Sequence, residues 1–191
     1  MVSAGPSSAS RAPTVSQLTC IVATAKRPPI PLSIQAAVLF RDRWLCYLCK
    51  RPVIFHFALK RLGVLAKNAY PDVVTAYWHP NWRRDAAPIL DELAASIDHV
   101  TAYAKAGTHD SSNFATICAR CNARKSAKDV AVFRSELKAW KVKGTHGEPG
   151  AWDGFATLFV VLASRDTAGL TATERAWLKA LKPFLDSRRS V

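Results

Sequence analysis

The chain has 191 residues, enough for one sizeable domain with appendages, and 49% hydrophobic against 21% charged residues make it globular rather than disordered. A formal net charge of +13 favours a polyanionic partner, most simply nucleic acid. No stretch approaches the ~20 apolar residues of a membrane span, and residues 18–25 have too little basic lead-in for a secretory signal, so no membrane role is expected and the protein reads as cytoplasmic.

Residues 1–32 form a tail, Ala-, Ser- and Pro-rich at first. Within it LTCIVAT (18–24) has strand character and KRPPIP (26–31) breaks regular structure. Ser33 can cap a helix through IQAAVLFRDRW (34–44), with Ile34, Val38 and Leu45 on one face, that delivers the chain to Cys46. An insertion, 50–95, holds the apolar patches VIFHFAL and VVTAYWHPNW and ends in a short helix over PILDELAAS (88–96), opened by Pro88. SIDHV (96–100) alternates like a strand, AGTHDSSN (106–113) has turn composition, and FATIC (114–118) reads as a second strand. NARKSAKDVAVFRSELKAWK (122–141) is expected as one helix, and Gly144, Gly147, Pro149 and Gly150 as a linker. FATLFVVLAS and ERAWLKALKPFL then form a helical hairpin, 151–187, packed on the core, the second helix opened by the capping-box spacing of Thr171 and Glu174. The class is α+β, mainly helical, with a principal domain over 33–143.

Five cysteines include two CxxC pairs, Cys46/Cys49 and Cys118/Cys121. In a reducing compartment such pairs suit a tetrahedral structural Zn²⁺ better than disulfides, and no βαβ pattern supports a redox role. Cys20, in an apolar run, reads as a small buried hydrophobe. Asp98 and His99 are neighbours on a strand and so point to opposite faces. Asp98 and the amide oxygen of Asn122 are hard ligands suited to Mg²⁺ or Mn²⁺. His99 can take a proton from water near neutral pH. Together these groups have what phosphodiester hydrolysis requires.

The succession CYLC, IDHV and SSNFATICARCNARKS, over about residues 41–129, resembles the zinc-bearing subtype of the HNH endonuclease family. The resemblance implies a ββα-metal core with His99 as general base and Asp98 and Asn122 as ligands of a catalytic Mg²⁺ or Mn²⁺. It implies that Asn113 holds the loop and orients the histidine, and that the four cysteines hold a separate structural Zn²⁺. Where many members have a proline after DH and a Gly-Gly pair, this chain has VTAYAKAG with Gly107 alone. His109 in that loop reads as a turn residue near solvent.

Residues 122–143 carry seven Lys/Arg and two acidic residues, and Arg124, Lys125 and Lys128 are expected to hold phosphates near the metal. Trp78 and Trp82 read as buried beside surface Arg83 and Arg84, and His56 and His79 as structural. The expected partner is double-stranded DNA, with a homodimer as one source of specificity. A non-catalytic zinc-stabilised nucleic-acid-binding module is the alternative; such a scaffold needs the cysteines but not Asp98, His99 and Asn122 together.

Overall fold

The computed structural model describes residues 28–70, 92–126, 128–138 and 152–186. The expected strand at 18–24, Cys20, Trp78, His79, Trp82, Arg83, Arg84 and the 144–150 linker lie outside the described residues.

Helix α1 spans Leu32–Arg41 and buries Ala36, Val38 and Leu39. Ser33 does not cap it: Pro31 takes the N-cap position and no side chain caps the helix. A proline loses nothing there, because its missing N–H would have no intrahelical acceptor. The helix stops three residues earlier than expected because Arg43 and Trp44 both take the left-handed conformation, φ 54°. Helix α2, His56–Ala69, follows inside the insertion, where only an apolar patch was expected.

Strands β1 (Ala95–His99) and β2 (Phe114–Cys118) pair antiparallel, with Ala95 opposite Cys118 and His99 opposite Phe114. β1 therefore begins where the expected 88–96 helix should still run; only residues 92 and 93 are helical among those described there. Its outer edge meets Ile54, which takes the Ala95 N–H at 2.8 Å and donates to the Leu93 carbonyl at 2.9 Å. The outer edge of β2 is covered from the other side. The Thr116 N–H donates to Asp42 at 2.7 Å and the Thr116 carbonyl accepts from the Tyr47 N–H at 2.8 Å. A two-stranded sheet alone is marginal in water, and these edge contacts satisfy backbone groups the pair cannot.

The expected helix at 122–141 is two helices, α3 (Ala119–Lys125) and α4 (Val130–Lys138). The break falls at Ser126, whose φ of 47° no α-helix accommodates. Helices α5 (Ala156–Arg165) and α6 (Ala172–Asp186) follow. The capping box at the start of α6 is formed: Glu174 accepts from the Thr171 N–H at 2.8 Å, and the Glu174 N–H donates back to the Thr171 hydroxyl at 3.2 Å.

One core joins these elements. Trp44, Phe55, Ile117, Phe159, Trp177 and Leu181 belong to the same buried cluster as Cys46, Cys118 and Cys121. Phe55 meets Phe159 and Trp177 edge-on at 5.1 and 5.0 Å. Each such aromatic contributes about 2–3 kcal/mol by leaving water. The chain enters α5 through Gly154, at φ 65°, against the indole of Trp44; a Cβ there would lie 2.1 Å from the ring. Arg61, buried on α2, binds the Gly169 carbonyl at 2.9 Å and pairs with Asp166, tying α2 to the α5–α6 turn. No helix among the described residues is long and apolar enough to cross a membrane.

Candidate functional site

The two CxxC pairs meet. The sulfurs of Cys46, Cys49, Cys118 and Cys121 all lie within 4.8 Å of one another, three of the residues buried and Cys49 half-buried. Cys49 and Cys118 are 3.8 Å apart. Zinc–thiolate bonds of about 2.3 Å place tetrahedral vertices about 3.8 Å apart, so the group fits the ion. The first pair sits on the turn after α1 and the second spans the end of β2 and the start of α3. Cys118 also caps α3 by accepting the Cys121 N–H at 3.4 Å. Bonds from neighbouring thiols, Cys118 foremost, pull Cys46 well below the ordinary thiol range and lower Cys49. The bond to Cys118, then those to Cys46 and Cys49, push Cys121 up. Thiols so close cannot all ionise without a cation between them.

β1 separates Asp98 and His99 to opposite faces, as its alternation requires. Asp98 shares its face with Ser96, and the Asn122 amide of α3 lies 3.5 Å from the Ser96 hydroxyl. The Asn122 amide nitrogen thus meets the face of the strand that carries Asp98, and a carboxylate and an amide oxygen are the donor types that suit a hard divalent cation. A positive charge is already there. The Lys125 ammonium is 2.8 Å from Asp98 Oδ2 and 3.3 Å from the His99 carbonyl, and Lys125 is only 2% exposed. Expected to hold a phosphate, Lys125 is instead turned inward, because its place on α3 faces the sheet. Arg124 and Lys128 are exposed on the outer side.

His99 is 1% exposed, with the Phe114 ring edge-on at 4.9 Å. Its Nε2 lies 3.2 Å from Nδ1 of His109, so one nitrogen of that pair carries a proton and the other does not. His109 was expected as a turn residue near solvent; the structure folds it back onto His99. Asn113 holds the loop that does this. Its amide accepts from the Thr101 N–H at 2.8 Å and donates to the carbonyls of Thr101 and Thr108 at 2.9 and 2.8 Å. Arg41, at the end of α1, donates to the carbonyls of Ser111 and Phe114 at 2.9 and 2.6 Å and fixes the loop's far end. His56 is not one of the clustered ligands, and burial, then the Lys60 charge, lowers it to about 4.

Sequence reasoning gave no role to Tyr47 or Arg41. Tyr47 donates its hydroxyl to Asp98 Oδ2 at 3.1 Å across 51 positions of sequence, which no local spacing signals. His109 was visible as a histidine in the loop, but nothing local shows which way the loop closes.

An antiparallel strand pair running into a helix, with a four-cysteine cluster at its base, defines a ββα-type module. Residues 86–128 match the HNH endonuclease family. The match spans Asp98, His99, Asn113, Cys118, Cys121 and Asn122 and stops short of Cys46 and Cys49, which only the fold brings in. It carries a nuclease-type or nucleic-acid-related function. No curated protein and no solved structure matches the chain.

Proposed function

We propose that the protein is a metal-dependent HNH endonuclease that hydrolyses phosphodiester bonds of double-stranded DNA in the cytoplasm. Residues 33–143 form its nuclease domain and the hairpin at 151–187 supports it. The observation that carries the reading is the HNH match over the segment that bears Asp98, His99, Asn113 and Asn122. In this reading His99 takes a proton from the attacking water. The water oxygen bonds to phosphorus, and the bond from phosphorus to the leaving oxygen breaks. Asp98 and Asn122 hold Mg²⁺ or Mn²⁺, which when bound stabilises charge on the phosphate and the leaving oxygen. Asn113 keeps the loop closed so that His99 stays aimed, His109 shares a hydrogen bond with it, and the cysteines hold a structural Zn²⁺. Arg124 and Lys128 face phosphates, supported by their exposure and by the net charge of +13.

Two observations favour a second reading, a non-catalytic zinc-stabilised nucleic-acid-binding module. His99 is buried, and Asp98 already has a cationic partner in Lys125. Plasmid cleavage with Mg²⁺ or Mn²⁺ separates the two, wild type beside His99→Ala. Metal-dependent cutting by the wild type, lost in a variant that keeps its fold and zinc, supports the enzyme. Salt-sensitive DNA binding with no cutting by either supports the module.

A further inference from the structure

Tyr47 sits between the two cysteines of the first CxxC pair and reaches the other end of the candidate site. Its backbone N–H is fixed on the outer edge of β2 by the Thr116 carbonyl, 2.8 Å away. Its hydroxyl donates to Asp98 Oδ2 at 3.1 Å. The Lys125 ammonium binds the same oxygen at 2.8 Å. Both contacts fall on Oδ2, and among the described residues no hydrogen bond or ion pair engages Oδ1. The Asp98 side chain retains 15% exposure. A carboxylate clamped through one oxygen has its plane fixed and presents the other oxygen in one direction.

We propose that Tyr47 is a positioning residue that couples the cysteine site to the candidate divalent-cation site. A metal held by the four cysteines fixes the Cys46–Cys49 turn. The turn aims the Tyr47 hydroxyl at Asp98 Oδ2, and Asp98 then presents Oδ1 to the cation. The inference rests on the reading of Asp98 as a cation ligand. Partners that orient a ligand in this way are worth about 10–100-fold in metal affinity. Coupling between two sites is reciprocal, so an ion at Asp98 strengthens zinc binding by the factor with which zinc strengthens its own.

The test is calorimetric titration of Mn²⁺ into the zinc-loaded full chain, for wild type, Tyr47→Phe and Asp98→Asn. Zinc content and melting temperature are recorded for each. Tyr47→Phe keeps the ring and removes only the hydroxyl. It should retain its zinc and bind Mn²⁺ about 10-fold or more weaker, with cleavage recovered at raised Mn²⁺. If Tyr47→Phe binds Mn²⁺ like the wild type while Asp98→Asn loses it, the coupling is refuted and the ligand reading stands. If Asp98→Asn also binds Mn²⁺ like the wild type, the ligand reading is refuted and the coupling falls with it. A second measurement needs no Tyr47 variant: chelator competition for zinc in the wild type, with and without saturating Mn²⁺. Zinc should be held more tightly with Mn²⁺ in the wild type but not in Asp98→Asn; no change in the wild type overturns the proposal.

Discussion

Asn113→Ala tests how the loop over His99 is held. Asn113 is 9% exposed, and its side chain makes three hydrogen bonds, of 2.8, 2.9 and 2.8 Å. Alanine removes all three and strands one backbone N–H and two carbonyls. At about 1 kcal/mol net for each bond the loss is about 3 kcal/mol, reduced toward about 2 because water can reach the rim of the site. Urea unfolding measures this directly. The Val100 amide is the local reporter, because its own acceptor, the Asn113 main-chain carbonyl at 2.8 Å, survives the substitution. If the loop opens more easily by the same amount, Val100 exchange should accelerate about 30- to 140-fold. Asn113→Asp should cost more than alanine, since a carboxylate would face the carbonyls of Thr101 and Thr108 in place of two donors. A loss under about 0.5 kcal/mol with unchanged Val100 exchange would refute the latch, as would an aspartate variant more stable than the alanine one.

Cys118→Ser removes a ligand from the cluster and the thiol that caps α3. Zinc per chain should fall, and a loss of about 3 kcal/mol or more should lower the melting temperature by about 10 °C. Unchanged zinc content and melting would sink the structural-zinc reading. His56 provides a pH prediction. Burial, then Lys60, lowers it to about 4 from 6.5, so between those values the unfolded chain binds more protons than the folded one. The stability from keeping His56 neutral is complete above pH 6.5 and is lost as pH falls toward 4, in total about 3 kcal/mol. His56→Phe should lose about that much less than the wild type across this window. Protonation of the cysteines acts on both chains and cancels in the difference. Equal acid sensitivity of the two would show that His56 does not titrate as a buried group.

Much of the site could be read from residues a few positions apart. The alternation in SIDHV and FATIC marks two strands, and both form with boundaries shifted by no more than a residue. Thr171 and Glu174 mark a helix start that needs nothing beyond its own turn. The cysteine pairs state their own chemistry, and the asparagine after the second pair places an amide beside them. Local signals also misled. Ser33 has a capping side chain, yet Pro31 holds the position. One helix was expected over 122–141 from apolar spacing at 130, 133, 137 and 140, yet the backbone turns away at Ser126.

What a segment packs against was not legible in this way. The approach of Cys46 and Cys49 to Cys118, the turn of Lys125 toward Asp98, the closing of His109 on His99 and the reach of Tyr47 each join residues from different elements. A lysine on an amphipathic helix carries the same local signal whether it faces water or a carboxylate. Periodicity and turn chemistry are properties of a few neighbouring residues and survive in isolation. Burial, ion pairing and the direction of a side chain depend on which surface lies opposite. Here that surface was decided by one core, which drew α1, α2, the sheet and the C-terminal helices around Trp44 and Phe55.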